Sequence, residues 1–133
     1  TSMRAQVAAA FCSSLWRKSC GAMSLRLVYL PFRAMAEATR MMLAVGKVPY
    51  IDEAVWGREF SRRRKQGAFP WAKTPVMIIE EPGSSAPGLT VAQSGALARF
   101  AAKRAGLRPA SDIDDAIADS VFELGQELCT INP

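Results

Sequence analysis

The chain has 133 residues, half of them apolar and 22% charged, with a formal net charge of +5. That length leaves room for one compact domain plus a short extension, and the composition is that of a globular rather than a disordered chain. There is no histidine, so the chain cannot itself supply a Ser-His-Asp triad, a Cys-His dyad or a His-ligated zinc site, and no apolar run approaches the ~18–20 residues that cross a bilayer.

Residues 1–23 are rich in Ala, Ser and Arg and contain no acid. They are expected to form a leader or unstructured extension, with a mitochondrial or plastid transit peptide as the alternative. Cys12, Cys20 and Cys129 make no C-x-x-C pair, which points to a reducing, cytoplasmic setting unless the leader directs the chain to an organelle.

Organisation begins at Leu25. Residues 25–30 form an apolar run ended by Pro31 and predict a buried strand. Met35, Ala38, Met41, Met42 and Val45 then recur at helical spacing, predicting a helix over 34–45 that Gly46 closes. Residues 48–55 predict a second strand. Residues 57–67 are polar, basic and weakly periodic, and predict a loop with one irregular helical turn. Residues 75–80 predict a third strand with Pro75 at its head, followed by a Pro/Gly/Ser turn over 81–88 and a short antiparallel fourth strand at 89–91. A helix is expected from Gln93 to Ala105, with Leu97, Phe100 and Ala101 on one face. A last helix starts near Ser111, a good N-cap with Asp114 and Asp115 in the first turn. Its stripe of Ile113, Ile117, Val121, Leu124 and Leu128 needs a partner surface.

The order is β-α-β, an irregular stretch, then β-β-α. A βαβ unit with a right-handed crossover followed by a hairpin and a helix predicts an α/β fold with a four-stranded mixed sheet, the thioredoxin-like arrangement. Three regions are expected: the leader (1–23), the thioredoxin-like domain (24–107), and the first helix of a truncated all-α domain (108–133). Charge follows the same division. Arg58, Arg62, Arg63, Arg64 and Lys65 cluster against Glu59, whereas only acids follow Arg108. One basic cluster is not the broad basic face with stacking aromatics that nucleic acid requires, so no nucleic-acid partner is expected.

Four local features converge on one end of such a sheet. Tyr29 closes the first strand, where α/β folds place ligands, although taken alone it reads more readily as a core tyrosine with its hydroxyl bonded to backbone. Thr74-Pro75 precedes a strand; if that bond is cis, the backbone of Thr74 is free to pair with an extended peptide. Gln93-Ser94 opens a helix, where a hydroxyl and free N–H groups suit a carboxylate or simply cap the helix. The stretch from Trp56 to Lys65 can set an indole and a cation near a second carboxylate, or be a solvated basic loop. Together they describe a site for a short extended peptide with an anion at each end and a thiol between, the shape of glutathione.

The stretch Leu27-Val28-Tyr29-Leu30-Pro31-Phe32-Arg33-Ala34-Met35-Ala36-Glu37-Ala38-Thr39-Arg40 resembles the opening Y-F-x-x-R-G-R-A-E-x-x-R of Tyr-type glutathione S-transferases, closest to their sigma, mu and pi classes. Thr74-Pro75-Val76, with Leu89-Thr90-Val91-Ala92-Gln93-Ser94 and the helix that follows, is similar to that family's Q-L-P-V-L and L-x-Q-S-x-A-I-x-R-Y-L. The resemblance implies a glutathione transferase, with glutathione as co-substrate and no metal, acting on small electrophiles as a homodimer without membrane insertion. Tyr29 would be the catalytic residue, hydrogen-bonded to the glutathione sulfur. Thr74, beside Pro75, would pair with the cysteinyl backbone, Gln93 and Ser94 would hold the γ-glutamyl end, and Trp56 and Lys65 would meet the glycine carboxylate. Met35 and Ala34 replace an Arg and a Gly of the pattern, and Lys73 replaces a Gln. These departures and the missing acceptor-binding half leave a second reading, a non-catalytic glutathione-binding or structural subunit of a larger assembly.

Overall fold

The computed structural model describes residues 23–131, with side chains to Cys129. The expected leader, with Cys12 and Cys20, therefore lies outside the described residues apart from Met23. Strand β1 (Ser24–Tyr29) alternates in the way a half-sandwiched strand must. Leu25, Leu27 and Tyr29 join the core on one sheet face, and Val28 joins the core on the other. A single 3-10 turn (Ala34–Ala36) precedes helix α1 (Glu37–Val45), so the helix expected over 34–45 is divided. Ala34, at the head of that turn, has a φ of +36°, outside the helical region.

Helix α1 ends at Val45, and Lys47 takes the left-handed conformation, with φ +51°. Gly46 is required for a different reason: a Cβ placed there would lie 2.3 Å from the Cβ of Ala105. Strand β2 (Ile51–Ala54) is shorter than the expected 48–55, because Val48 and Tyr50 pack under the core instead.

The stretch expected to be loop folds as helix α2 (Gly57–Lys65). Its only aromatic, Phe60, stacks on Phe69 with ring centroids 5.6 Å apart. Glu59 accepts hydrogen bonds from Arg62 and Arg63, each as short as 2.6 Å, and Arg63 reaches across to Glu53 at 2.7 Å. One inward aromatic leaves no apolar period to read, and the turns are tied by charge pairs three and four residues apart. A second 3-10 turn (Pro70–Ala72) leads into β3 (Val76–Glu80), the 81–88 turn and β4 (Leu89–Ala92). Helix α3 (Ser94–Arg104) and helix α4 (Asp112–Ile131) complete the chain. The Asp114 N–H donates to Ser111 Oγ at 3.4 Å, the N-cap expected of that serine.

The sheet order is β2-β1-β3-β4, with β1 and β2 parallel and the other two pairs antiparallel. Leu25, Leu27 and Met77 form one core with Leu43 of α1 and with Leu97 and Ala101 of α3. On the other face Val28, Val76 and Ala92 pack with Val55 and Phe69, and Phe60 of α2 covers them. This is the four-stranded mixed sheet with flanking helices that the element order predicts, the thioredoxin-like arrangement followed by a further helix.

Helix α4 is held on α3 largely through charge. Arg99 donates to Asp119 at 2.7 and 3.1 Å and also bonds Glu123, and its guanidinium lies 5.5 Å from the centroid of the Phe122 ring. Arg108 clamps Asp115, with one bond of 2.6 Å. The stripe of Ile113, Ile117, Val121, Leu124 and Leu128 stays more than half exposed. Among the described residues no helix is long and apolar enough to cross a membrane.

Candidate functional site

Sheet register assembles the candidate site. Val28 on β1 pairs with Val76 on β3, and Val76 pairs with Ala92 on β4, so these residues form one cross-strand row. The residues just beyond that row come together at one end of the sheet: Tyr29, the Thr74-Pro75 bond, and Gln93-Ser94. Tyr29 also pairs with Ala54 on β2, which brings Trp56, two residues on, toward the same end. The parallel and antiparallel pairings make this unavoidable, since β1, β2 and β4 finish where β3 begins.

Tyr29 is only 5% exposed. The Phe32 ring makes a T-shaped contact with it, centroids 5.8 Å apart at 74°, and Phe32 in turn makes a T-shaped contact with Trp56 at 6.4 Å and 81°. The Arg40 guanidinium lies 5.9 Å from the Tyr29 ring centroid. Arg40 also donates to both Asp52 carboxylate oxygens, at 2.9 and 3.3 Å, and to the Phe32 carbonyl at 2.9 Å. Pro31, Phe32, Arg33, Glu37, Arg40 and Asp52 line a shallow cleft beside the tyrosine.

The Thr74-Pro75 bond is cis. Pro75 is buried, Thr74 is half-buried and precedes the β3 ladder, and Lys73 is exposed. At the other strand end Gln93 adopts φ +79°, which a non-glycine residue occupies at a cost of order 1–3 kcal/mol. Among the described residues no side chain caps the start of α3. Ser94 Oγ instead donates to Gln126 Oε1 of α4 at 3.5 Å. The first N–H groups of an eleven-residue helix, left without a side-chain cap, favour an anion there.

Trp56 is 65% exposed at the N-terminus of α2. Lys65 is at the other end of that helix, roughly 12 Å further along its axis, on an exposed face shared with Arg58, Ser61 and Arg62. The register therefore gathers Tyr29, Trp56, Lys73, Thr74, Pro75, Gln93 and Ser94, but leaves Lys65 apart. Phe32, Asp52 and Gln126 were not signalled by any local pattern. Arg40 was visible only as the last letter of the opening motif. Among the described residues no cluster of three or more His, Cys, Asp or Glu side chains could hold a metal ion.

A mixed four-stranded sheet of this order, with a cis-proline heading β3 and an uncapped helix after β4, defines a thioredoxin-like domain with a cleft at the strand ends. No protein-family model matches the chain. It is similar to the hematopoietic prostaglandin D synthase of Gallus gallus, 24% identical over 108 residues that make up 81% of this chain and 50% of that protein. It is also similar to glutathione S-transferase 4 of Caenorhabditis elegans, 30% identical over 98 residues that cover 74% of this chain and 43% of the relative. Among solved structures, rat hPGDS complexed with a quinoline superposes with a TM-score of 0.71 at 24% identity, covering 83% of this chain and 51% of that one. Over this stretch the chain is thus similar to glutathione S-transferases and to hematopoietic prostaglandin D synthases. It spans about half the length of the curated relatives it matches.

Proposed function

We propose that this chain binds glutathione at the strand ends and, as part of a glutathione transferase, activates the thiol for attack on small electrophiles. The observation that carries the reading is the Val28–Val76–Ala92 row, which sets Tyr29, the cis Thr74-Pro75 turn and Gln93-Ser94 side by side. An extended tripeptide fits those three features in order. Gln93, Ser94 and the α3 N-terminus take the γ-glutamyl carboxylate, the Thr74 backbone takes the cysteinyl unit, and the Tyr29 hydroxyl takes the sulfur. Trp56 and Lys73 serve the glycine end, and Lys65, at the far end of α2, lies outside this reach.

A free thiol titrates near ~8.5, so most of it is protonated at neutral pH. A hydrogen bond from Tyr29 to the sulfur favours the thiolate and raises the population of the nucleophile. The thiolate then forms the S–C bond with the electrophile, and the displaced leaving group departs or the adduct takes up a proton. The acceptor pocket and a homodimer belong to this proposal, as does a cytoplasmic setting without nucleic acid or membrane insertion. The 5% exposure of Tyr29 favours a second reading, a glutathione-binding or structural subunit without turnover.

Retention on immobilised glutathione, followed by turnover of an electrophilic dye substrate, separates the readings. Retention with turnover supports the transferase, and retention alone supports the binding subunit. A chain that elutes with the void volume defeats both glutathione-dependent readings.

A further inference from the structure

Resting on the glutathione reading, we infer that Arg40 is the residue that positions Tyr29 for thiolate stabilisation. Its side chain is only 17% exposed, and four groups hold it. Both oxygens of Asp52 on β2 accept from its fork at 2.9 and 3.3 Å, Glu37 on its own helix accepts at 3.5 Å, and the Phe32 carbonyl accepts at 2.9 Å. The fourth is the Tyr29 ring, whose centroid lies 5.9 Å from the guanidinium carbon.

Arg40 therefore acts on the tyrosine from two directions. It sits against the ring directly, as a cation held over an aromatic face. It also holds the backbone of Phe32, whose ring packs roughly perpendicular to Tyr29 with centroids 5.8 Å apart. Two axes of contact leave the ring little freedom to tilt. A hydrogen bond from a phenol to sulfur depends on that tilt, because donor strength falls steeply with angle.

Arg33, in the loop before α1, does not do the same work. Arg33 is 89% exposed and among the described residues pairs with Glu37 alone, at 3.9 Å. Arg40 keeps its charge through the neutral range: burial works against it, but the bonds to Asp52 and Glu37 more than offset that. The titratable groups facing it are Asp52, Glu37, Tyr29 and Tyr50. Burial, then Asp52, pushes the Tyr50 hydroxyl up, so Tyr50 stays neutral where glutathione titrates. A change in pH profile on altering Arg40 is therefore not a titration of Tyr50.

The test measures the pH midpoint of bound glutathione thiolate, by its near-ultraviolet absorbance, in wild type, Arg40→Met, Arg40→Lys and Asp52→Asn. Arg40→Met is expected to raise the midpoint by about one pH unit, a tenfold loss of thiolate stabilisation. Affinity for S-methylglutathione, which has no thiol to ionise, is expected to stay within about twofold. Arg40→Lys retains the cation without the planar fork and is expected to recover only part of the shift. Asp52→Asn loosens the fork and is expected to move the midpoint in the same direction, which keeps the test open should Arg40→Met unfold. An unmoved midpoint in these variants overturns the inference while leaving glutathione binding intact. If wild type binds neither glutathione nor S-methylglutathione, the parent reading falls, and ligand-free NMR of 13C-tyrosine protein decides the positioning role. The chain has two tyrosines, and Tyr29 ring signals unchanged by Arg40→Lys and Asp52→Asn would overturn it.

Discussion

Gly46, just past the end of α1, and Ala105, just past the end of α3, approach so closely that a Cβ on Gly46 would sit 2.6 Å from the Ala105 Cα. This contact brings together the ends of the two helices that cover one sheet face and sets how closely they pack there. Backbone cannot yield as a flexible side chain does, so Gly46→Ala is expected to cost about 1–3 kcal/mol as an overpacking change. Urea unfolding of the two proteins measures it. Gly125→Ala, inside α4 with nothing within 4 Å of the new methyl, is the contrast and should gain roughly 0.5–1 kcal/mol. Equal midpoints for both variants would contradict the packing account.

Ala34 holds φ +36°, on the left-handed side that favours glycine. Ala34→Gly is expected to stabilise the fold by about 0.5–1 kcal/mol, since relief of the Cβ clash exceeds the added freedom of the unfolded chain. Thermal melting reads the gain. A lower melting temperature would show that the turn before α1 is not strained.

Tyr29→Phe removes one hydroxyl from a ring that is otherwise packed by Phe32 and Arg40. Under the transferase reading it should leave glutathione binding within a few-fold and lower dye-substrate turnover by roughly 10²-fold or more, the scale of a positioned donor at developing charge. The rate deficit should shrink as pH rises toward the free-thiol value. Turnover equal to wild type at neutral pH would remove Tyr29 from the mechanism.

Glu59 is pulled down from 4.5 to about 2 by hydrogen bonds from Arg62 and then Arg63, with burial opposing and the two positive charges assisting. A lowered carboxyl favours the fold when ionised. That contribution is present above the unfolded value near 4.5 and is lost as pH falls through the folded value near 2. Circular dichroism from pH 5 to 2 should show α2 weakening across that window, and Glu59→Gln should flatten this part of the curve. Identical curves would exclude the Glu59 bonds as the support of the helix.

Arg99 is the main link between α3 and α4, through Asp119, Glu123 and the Phe122 ring. Arg99→Met should release α4 before the sheet. Hydrogen exchange would then speed up over Asp112–Ile131, with β1 and β3 amides unchanged, and raised salt should mimic the change in wild type. Uniform acceleration across the chain would instead mean that α4 and the sheet unfold as one unit.

The amino-acid order by itself determined most elements. The alternation around Leu25 and Leu27, the Pro/Gly turn at 81–88, the Ser111 cap and the spacing of the apolar helix residues all act within a few residues, so they are legible locally. The opening motif and the Gln93-Ser94 motif also marked which side chains to watch. Tertiary structure decided the rest. Helix α2 was hidden because the residues it packs and pairs against, Phe69 and Glu53, lie outside it, and a single aromatic carries no period. The need for glycine at 46 came from Ala105, a contact between elements far apart in the chain. The grip of Arg40 on Tyr29 required β2 to deliver Asp52 and the loop to deliver the Phe32 carbonyl. Local periodicity names the elements, but register and close approach depend on residues that meet only when the sheet is paired, and there the site takes its shape.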